Sequence, residues 1–241
     1  VRNMRMLITN GAIGKIRIVK GSYLQGWLGS KEEDTGLNKQ AEWRTDPSRS
    51  GSAGSVGDIG SHTMHLIEFI TGLKLKSVCS DLTTFVPGRK LDDDASIMLR
   101  LNNGAKGSLS ISQIATGEEN NFSISIYGEK GSLKWNQENP NYAIFSKIGE
   151  ADQTITRGGH INFDEANAST RIPAGHPEGY LEAFAQIYSD VADIIQKKGN
   201  YLDLLKLIPN VNDGLHIMKF IKASVDSSNK NSNWVDLSTI K

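Results

Sequence analysis

Apolar residues follow two different periods along this chain. Met4, Leu7 and Ile8 sit at helical spacing and predict a short first helix, stopped at Asn10-Gly11. Ile16, Ile18 and the run to Trp27 read as a strand, with Tyr23, Gln25 and Trp27 alternating onto one face. Residues 28–53 form a long polar loop around Trp43-Arg44-Thr45-Asp46-Pro47. A loop of that length in a compact domain usually carries function, and a tryptophan in it predicts an ordered one. Ile59, Leu66, Ile67 and Ile70 then mark a helix from near Ser55, closed by Thr71-Gly72.

Beyond Gly72 the period changes to two. Segments near 74–86, 94–101, 105–114, 121–127, 131–136 and 142–147 are separated by turn signals such as Asn102-Asn103-Gly104 and Gly128-Glu129-Lys130-Gly131. Leu109 with Ile111, and Phe122 with Ile124 and Ile126, place one face of each strand inside. Residues 150–175 are polar and aperiodic. Helices are predicted from Pro177 to about Lys198 and from Asn210 to Ser227. The expected fold is α+β, a single domain over 1–241: a mostly antiparallel open sheet with helices packed on one face. No βαβ alternation occurs, so no Rossmann domain lies in this segment. A sheet covered on one face only also predicts self-association through the other.

The chemistry concentrates at Gly54–His65. A helix starting near Ser55 would carry Asp58, His62 and His65 at i, i+4 and i+7, hence on one face. A carboxylate one turn before an imidazole can orient the ring, which makes His62 a proton acceptor or donor. Glycines 54, 57 and 60 would let a substrate approach the backbone. A weak surface ion pair is the plain alternative. A phosphate loop is disfavoured, because Gly51, Gly54 and Gly57 lack the G-x-G-x-x-G order. One carboxylate and two imidazoles also match a metal's ligand set, but they span two helical turns, so no metal site is expected.

Composition narrows the setting. The 241 residues carry 27 Lys+Arg against 27 Asp+Glu, so nothing favours nucleic acid or an anionic membrane as partner. No apolar run approaches the ~18 residues of a spanning helix. One cysteine, Cys79, fits a cytoplasmic setting. The first residues show no initiator Met and no signal-peptide core, so the sequence is expected to start inside a longer protein.

Six motifs occur in order: Lys15-Ile-Arg-Ile, Tyr23-Leu-Gln-Gly-Trp27-Leu, Trp43-Arg-Thr-Asp-Pro47, Gly57-Asp-Ile-Gly-Ser-His62, Tyr127-Gly-Glu-Lys-Gly131 and Gly175-His-Pro-Glu-Gly-Tyr180. Together they resemble the C-terminal domain of the glucose–fructose oxidoreductase/inositol dehydrogenase (Gfo/Idh/MocA) family, in its sugar-dehydrogenase subgroup, over essentially the whole chain. The resemblance implies an NAD(P)-dependent oxidoreductase acting on a secondary hydroxyl of a sugar or cyclitol. It implies an N-terminal Rossmann domain that binds NAD or NADP and supplies a Glu-Lys-Pro lysine. Neither G-x-G-x-x-G nor Glu-Lys-Pro occurs here, so that domain is expected to be missing from this segment. The family's Asp-x-x-x-His pair falls on Asp58 and His62.

Alcohol oxidation needs a hydride acceptor and a base near the hydroxyl, and His62 with Asp58 would supply the base. Tyr23, Gln25 and Trp27 would give a sugar an aromatic wall and an amide partner, or be an ordinary packed sheet face. Arg44 would hold a hydroxyl or the cofactor, or be a solvated loop cation. His65 and His176 complete the candidate substrate contacts, with less weight on His65. His160 and His216 have no partner in sequence and read as structural, and Glu118 and Glu119 as turn charges. The rival to a catalytic domain is a non-catalytic carbohydrate-binding or dimerisation module of the same fold.

Overall fold

The computed structural model describes residues 1–240. Helix α1 (Arg2–Thr9) leads into strand β1 (Ile16–Leu24); the short helices α2 (Lys39–Arg44) and α3 (Pro47–Ser50) follow. A π-helical turn over Val56–Gly60 runs directly into α4 (Ser61–Thr71), which ends on left-handed Gly72. Strands β2 (Leu75–Thr83), β3 (Asp94–Leu101), β4 (Lys106–Ser112), β5 (Asn121–Gly128), β6 (Gly131–Asn136), β7 (Tyr142–Lys147) and β8 (Gln153–Thr156) come next. Helices α5 (Asp164–Asn167), α6 (Tyr180–Ile195), α7 (Tyr201–Leu204) and α8 (Val211–Ser228) and the short strand β9 (Val235–Asp236) complete the order.

Among the described residues the strands form one nine-stranded sheet, ordered β8-β7-β6-β5-β1-β4-β3-β2-β9. Every neighbouring pair is antiparallel except β1 and β4, which run parallel with Tyr23 opposite Ile111. The expected α+β fold, mostly antiparallel with helices on one face, is the fold observed. Two features of it exceed the sequence pattern. The parallel pair joins segments far apart in the chain, and β8, β9 and α5 are too short or too polar to show a period.

The alternation in each strand sorts its side chains. Val19, Tyr23, Ile97, Leu99, Leu109, Ile111, Ile124 and Ile126 point inward to a core shared with Met64, Ile67 and Ile70 of α4 and Phe220 of α8. Each fully buried aliphatic or aromatic side chain contributes about 1.5–3 kcal/mol. Gly21 lies on that face because α4 crosses there. A Cβ at Gly21 would stand 2.5 Å from Thr63 Cγ2 and 3.0 Å from Leu109 Cδ2. The opposite face is plain: Asp81, Ser96, Ser110, Ser22, Ser123 and Asn136 form one row in register across six strands.

Two segments differ from expectation. The loop 28–53 is ordered by α2 and α3, whose first turns are capped by the side chains of Asn38 and Asp46. Helix α6 leaves its apolar residues outside: Tyr180, Leu181, Phe184, Ile187 and Tyr188 are all exposed. It is tied to α1 by a 2.6 Å ion pair between Arg2 and buried Asp190. No described helix is long and apolar enough to cross a membrane.

Gly21→Ala is expected to lower stability by about 1–3 kcal/mol, the usual cost of overpacking. Adding Thr63→Ser, which removes the Cγ2 and keeps the hydroxyl, should recover part of that loss. Thermal unfolding of both variants checks this; an unchanged midpoint for Gly21→Ala would refute the close approach.

Candidate active site

The site is built where β1 and β4 end side by side. Beyond Leu24 the chain keeps following β4: Gln25 N donates to Ser112 O at 2.8 Å and Leu28 N to Gln113 O at 3.0 Å. Gln25 and Trp27 thus lie just past the strand rather than within it. Tyr23 and Gln25 converge on Asn120, whose Oδ1 accepts from the Tyr23 hydroxyl at 2.8 Å and from Gln25 Nε2 at 2.9 Å. Trp27 Nε1 donates to Gln25 Oε1 at 3.0 Å. Tyr23 is buried and stacked on Phe122, with centroids 4.6 Å apart. Burial chiefly raises its phenol pKa, and the charge of nearby Asp58 adds to the rise.

The second wall is the π-helical turn. Its start is capped by Asp92, whose carboxylate accepts from Gly54 N at 2.6 Å, Ser55 Oγ at 2.7 Å and Val56 N at 2.9 Å. Gly54 is obligatory, since a Cβ there would stand 2.1 Å from Asp92 O. The wider π turn changes the angular spacing assumed for a regular helix. Asp58 Oδ2 therefore accepts from Arg44 Nε at 2.9 Å and from Gln113 Nε2 at 2.8 Å. Among the described residues no hydrogen bond joins Asp58 to His62. His62 is exposed at the start of α4.

A family model described as the GFO/IDH/MocA C-terminal domain matches residues 1–134. The chain belongs to this family. It is 33% identical over 238 residues to the uncharacterized oxidoreductase YfiI of Bacillus subtilis, covering 97% of this chain and 60% of that protein. It is 27% identical over 259 residues to levoglucosan dehydrogenase of Pseudarthrobacter phenanthrenivorans, covering 97% and 62%. An inositol dehydrogenase homolog from Azotobacter vinelandii, solved with NAD+, superposes with a TM-score of 0.89 at 28% identity, over 98% of this chain and 61% of that one. The same homolog solved with NADH and myo-inositol gives a TM-score of 0.84 at 27% identity, covering 98% and 60%. The chain thus spans about 60% of the length of the curated relatives it matches.

Within this Gfo/Idh/MocA domain the remaining candidates separate. Arg44 does not stand free: it binds Asp58, donates to Gln40 and lies 4.3 Å over the Trp43 ring. His65 is half-buried, and the charged groups acting on it include Asp213, Glu68 and Lys74 rather than Asp58. Burial lowers its pKa, while the charges of Asp213 and Glu68 pull the other way. Buried Glu68 gathers Lys74 Nζ at 2.9 Å, Leu75 N at 2.8 Å and His216 Nε2 at 2.8 Å. His216 thus has in Glu68 a partner that its sequence context did not show. His176 is exposed, on a turn fastened by buried Glu178, and no hydrogen bond links it to the Asp58 group. Glu118 accepts from Asn121 beside a turn.

Gln113, Asn120 and Asp92 were not singled out from the sequence. The only signals were a polar residue ending an alternating strand and the run Asp92-Asp93-Asp94 ahead of β3. The dinucleotide half of a nicotinamide cofactor finds no cradle at this turn: its N–H groups at 54 and 56 are already bonded to a carboxylate. This turn therefore leaves cofactor phosphates to be held elsewhere.

The Glu68 cluster gives a pH test. Burial pushes the Glu68 carboxyl up, but His216, the Leu75 N–H and Lys74 outweigh it, so the group lies below its ordinary value of 4.5. A depressed folded value contributes stability fully above about pH 4.5, lost as pH falls through the folded value. Glu68→Gln should cost about 1–3 kcal/mol at pH 7, and the gap should narrow towards pH 3. Urea unfolding at both pH values measures it; a gap that does not shrink in acid would refute the assignment.

Proposed function

We propose that this domain forms the substrate side of a nicotinamide-dependent dehydrogenase acting on a secondary hydroxyl of a sugar or cyclitol. The observation that supports the reading is Asp58, bonded to Gln113 at the end of β4 and close enough to Tyr23 to raise its phenol pKa, beside the Tyr23–Gln25–Asn120–Trp27 group, with exposed His62 four residues further along. Relatives whose names specify levoglucosan and inositol support the substrate class.

In this reading a nicotinamide cofactor, NAD or NADP, would supply the hydride acceptor for the carbinol carbon. His62 accepts the hydroxyl proton at a ring nitrogen, its exposure leaving it free to meet the substrate. Asp58 supplies a fixed negative charge one turn away, which favours the imidazolium as it forms. The amides of Gln25 and Asn120 and the indole of Trp27 hold further hydroxyls and face, and His176 and His65 contribute less. The cofactor is held mainly by an N-terminal Rossmann domain of the complete protein, consistent with the longer relatives. The exposed apolar side of α6 is suited to cover by such a domain.

The serine row supports pairing with a second copy through the open sheet face, where small side chains permit close contact across a shallow depression of about 730 Å³. Sedimentation equilibrium of the complete protein should return an oligomer, and charge placed at Ser110 by Ser110→Glu should weaken it. A strict monomer would overturn this part.

The catalytic part is tested with the complete protein, NAD+ or NADP+, and myo-inositol or levoglucosan. His62→Ala should lower kcat by roughly 10²–10⁴-fold, the span of general base catalysis. Its stability should stay within about 0.5 kcal/mol, as for a surface substitution. Asp58→Asn should cost less rate. Turnover undiminished in His62→Ala would sink the assignment and favour the fold-only binding module.

A further inference from the structure

Asp58 uses one carboxylate oxygen twice and the other not at all. Oδ2 takes the Arg44 Nε and Gln113 Nε2 bonds, at 2.9 and 2.8 Å. Oδ1 accepts no protein hydrogen bond among the described residues. The two donors differ in kind. Arg44 comes from the loop helix α2 and is partly exposed, its guanidinium shared with Gln40 and the Trp43 ring. Gln113 is buried at the end of β4, its backbone N–H donating to Asp93 O at 2.9 Å and its carbonyl accepting from Leu28 N. Its main chain is therefore fixed by the sheet and its side chain is confined by burial before it meets Asp58.

A carboxylate on the wide π turn has no such restraint from its own element. Asp58 is only partly buried, and no other described side chain donates to its carboxylate. We propose that Gln113 is a positioning residue for Asp58: its amide locks one carboxylate oxygen to the sheet, with Arg44 as the second donor, and so presents the other oxygen as the acceptor at the cleft. This rests on the reading of Asp58 and His62 as a working pair. In this role Gln113 acts through Asp58 rather than by contacting substrate. It also gives Arg44 a different role from a substrate contact, since its Nε is committed to the same oxygen.

The test is a double-mutant cycle in the complete protein, assayed with NAD+ and either myo-inositol or levoglucosan. Gln113→Leu removes the donor, and the near-isosteric Gln113→Glu replaces it with a second acceptor that repels Asp58. Each should lower kcat by at least about 10-fold with KM within about two-fold, the pattern of a contact needed in the transition state. In an Asp58→Asn background neither change should cost more than about two-fold further. Equal losses in both backgrounds would mean Gln113 supports the fold rather than Asp58, and would overturn the proposal. A crystal structure of Gln113→Leu gives a readout independent of activity: the Asp58 carboxylate should turn from its present orientation, and one held unchanged would also overturn it. Should Asp58→Asn leave turnover intact while the carboxylate turns in Gln113→Leu, the functional reading fails and the positioning contact stands.

Discussion

Two neighbouring carboxylates at the head of β3 hold both walls of the cleft. Asp92 turns one way and caps the start of the π turn, taking the N–H groups of Gly54 and Val56 and the hydroxyl of Ser55. Asp93 turns the other way and accepts from Phe85 N, Val86 N and Arg89 Nη1. Arg89, with its side chain 1% exposed, reaches on to Glu33 and to the carbonyls of Leu28 and Ser30. One hairpin end thus fixes the turn that carries Asp58 and the loop that follows Trp27. Buried charge is tolerated there because Arg89 pairs with Asp93 and Glu33 while Asp92 takes three hydrogen bonds, and removing one member would strand its partners.

The parallel contact between β1 and β4 supplies the other half of the geometry. In a wholly antiparallel sheet, adjacent strands would deliver their C-terminal ends to opposite edges. Here two C-terminal ends emerge together, so Gln25 and Gln113 are neighbours. Open parallel sheets place ligands outside such carboxyl ends, and a single parallel pair within an antiparallel sheet is enough to create the same opening. α4 returns across this pair only because Gly21 has no side chain to hold it off.

Much of this was legible in the residues and some was not. Alternation in Phe122, Ile124 and Ile126 and the stripe of Met4 and Leu7 mark burial directly, because each reports a local period that the structure keeps. The family was legible as well, since six short motifs in fixed order survive where any one would be weak. The π turn was not: its glycines and Asp58 suit a regular helix equally well, and one extra residue per turn redirects the carboxylate. Nor were Gln113, Asn120 and Asp92, whose partners lie tens of residues away. The i, i+7 spacing placed His65 beside Asp58, but the packing of α8 beside α4 set Glu68, Lys74 and Asp213 around it instead.

The central position of β1 also governs time. Its two neighbours are β4 and β5, with Ile18 opposite Lys106 on one side and Val19 opposite Ile126 on the other. The first strand of this domain to be made therefore waits, with both edges bare, until about half of these 241 residues have been added. Contacts so distant in sequence are slow to close, because loop entropy is lost before any pairing offsets it. The cleft, which sits at the end of that strand, is among the last parts of the domain to take shape. Until then an apolar strand without partners is the segment most exposed to wrong pairing with other chains.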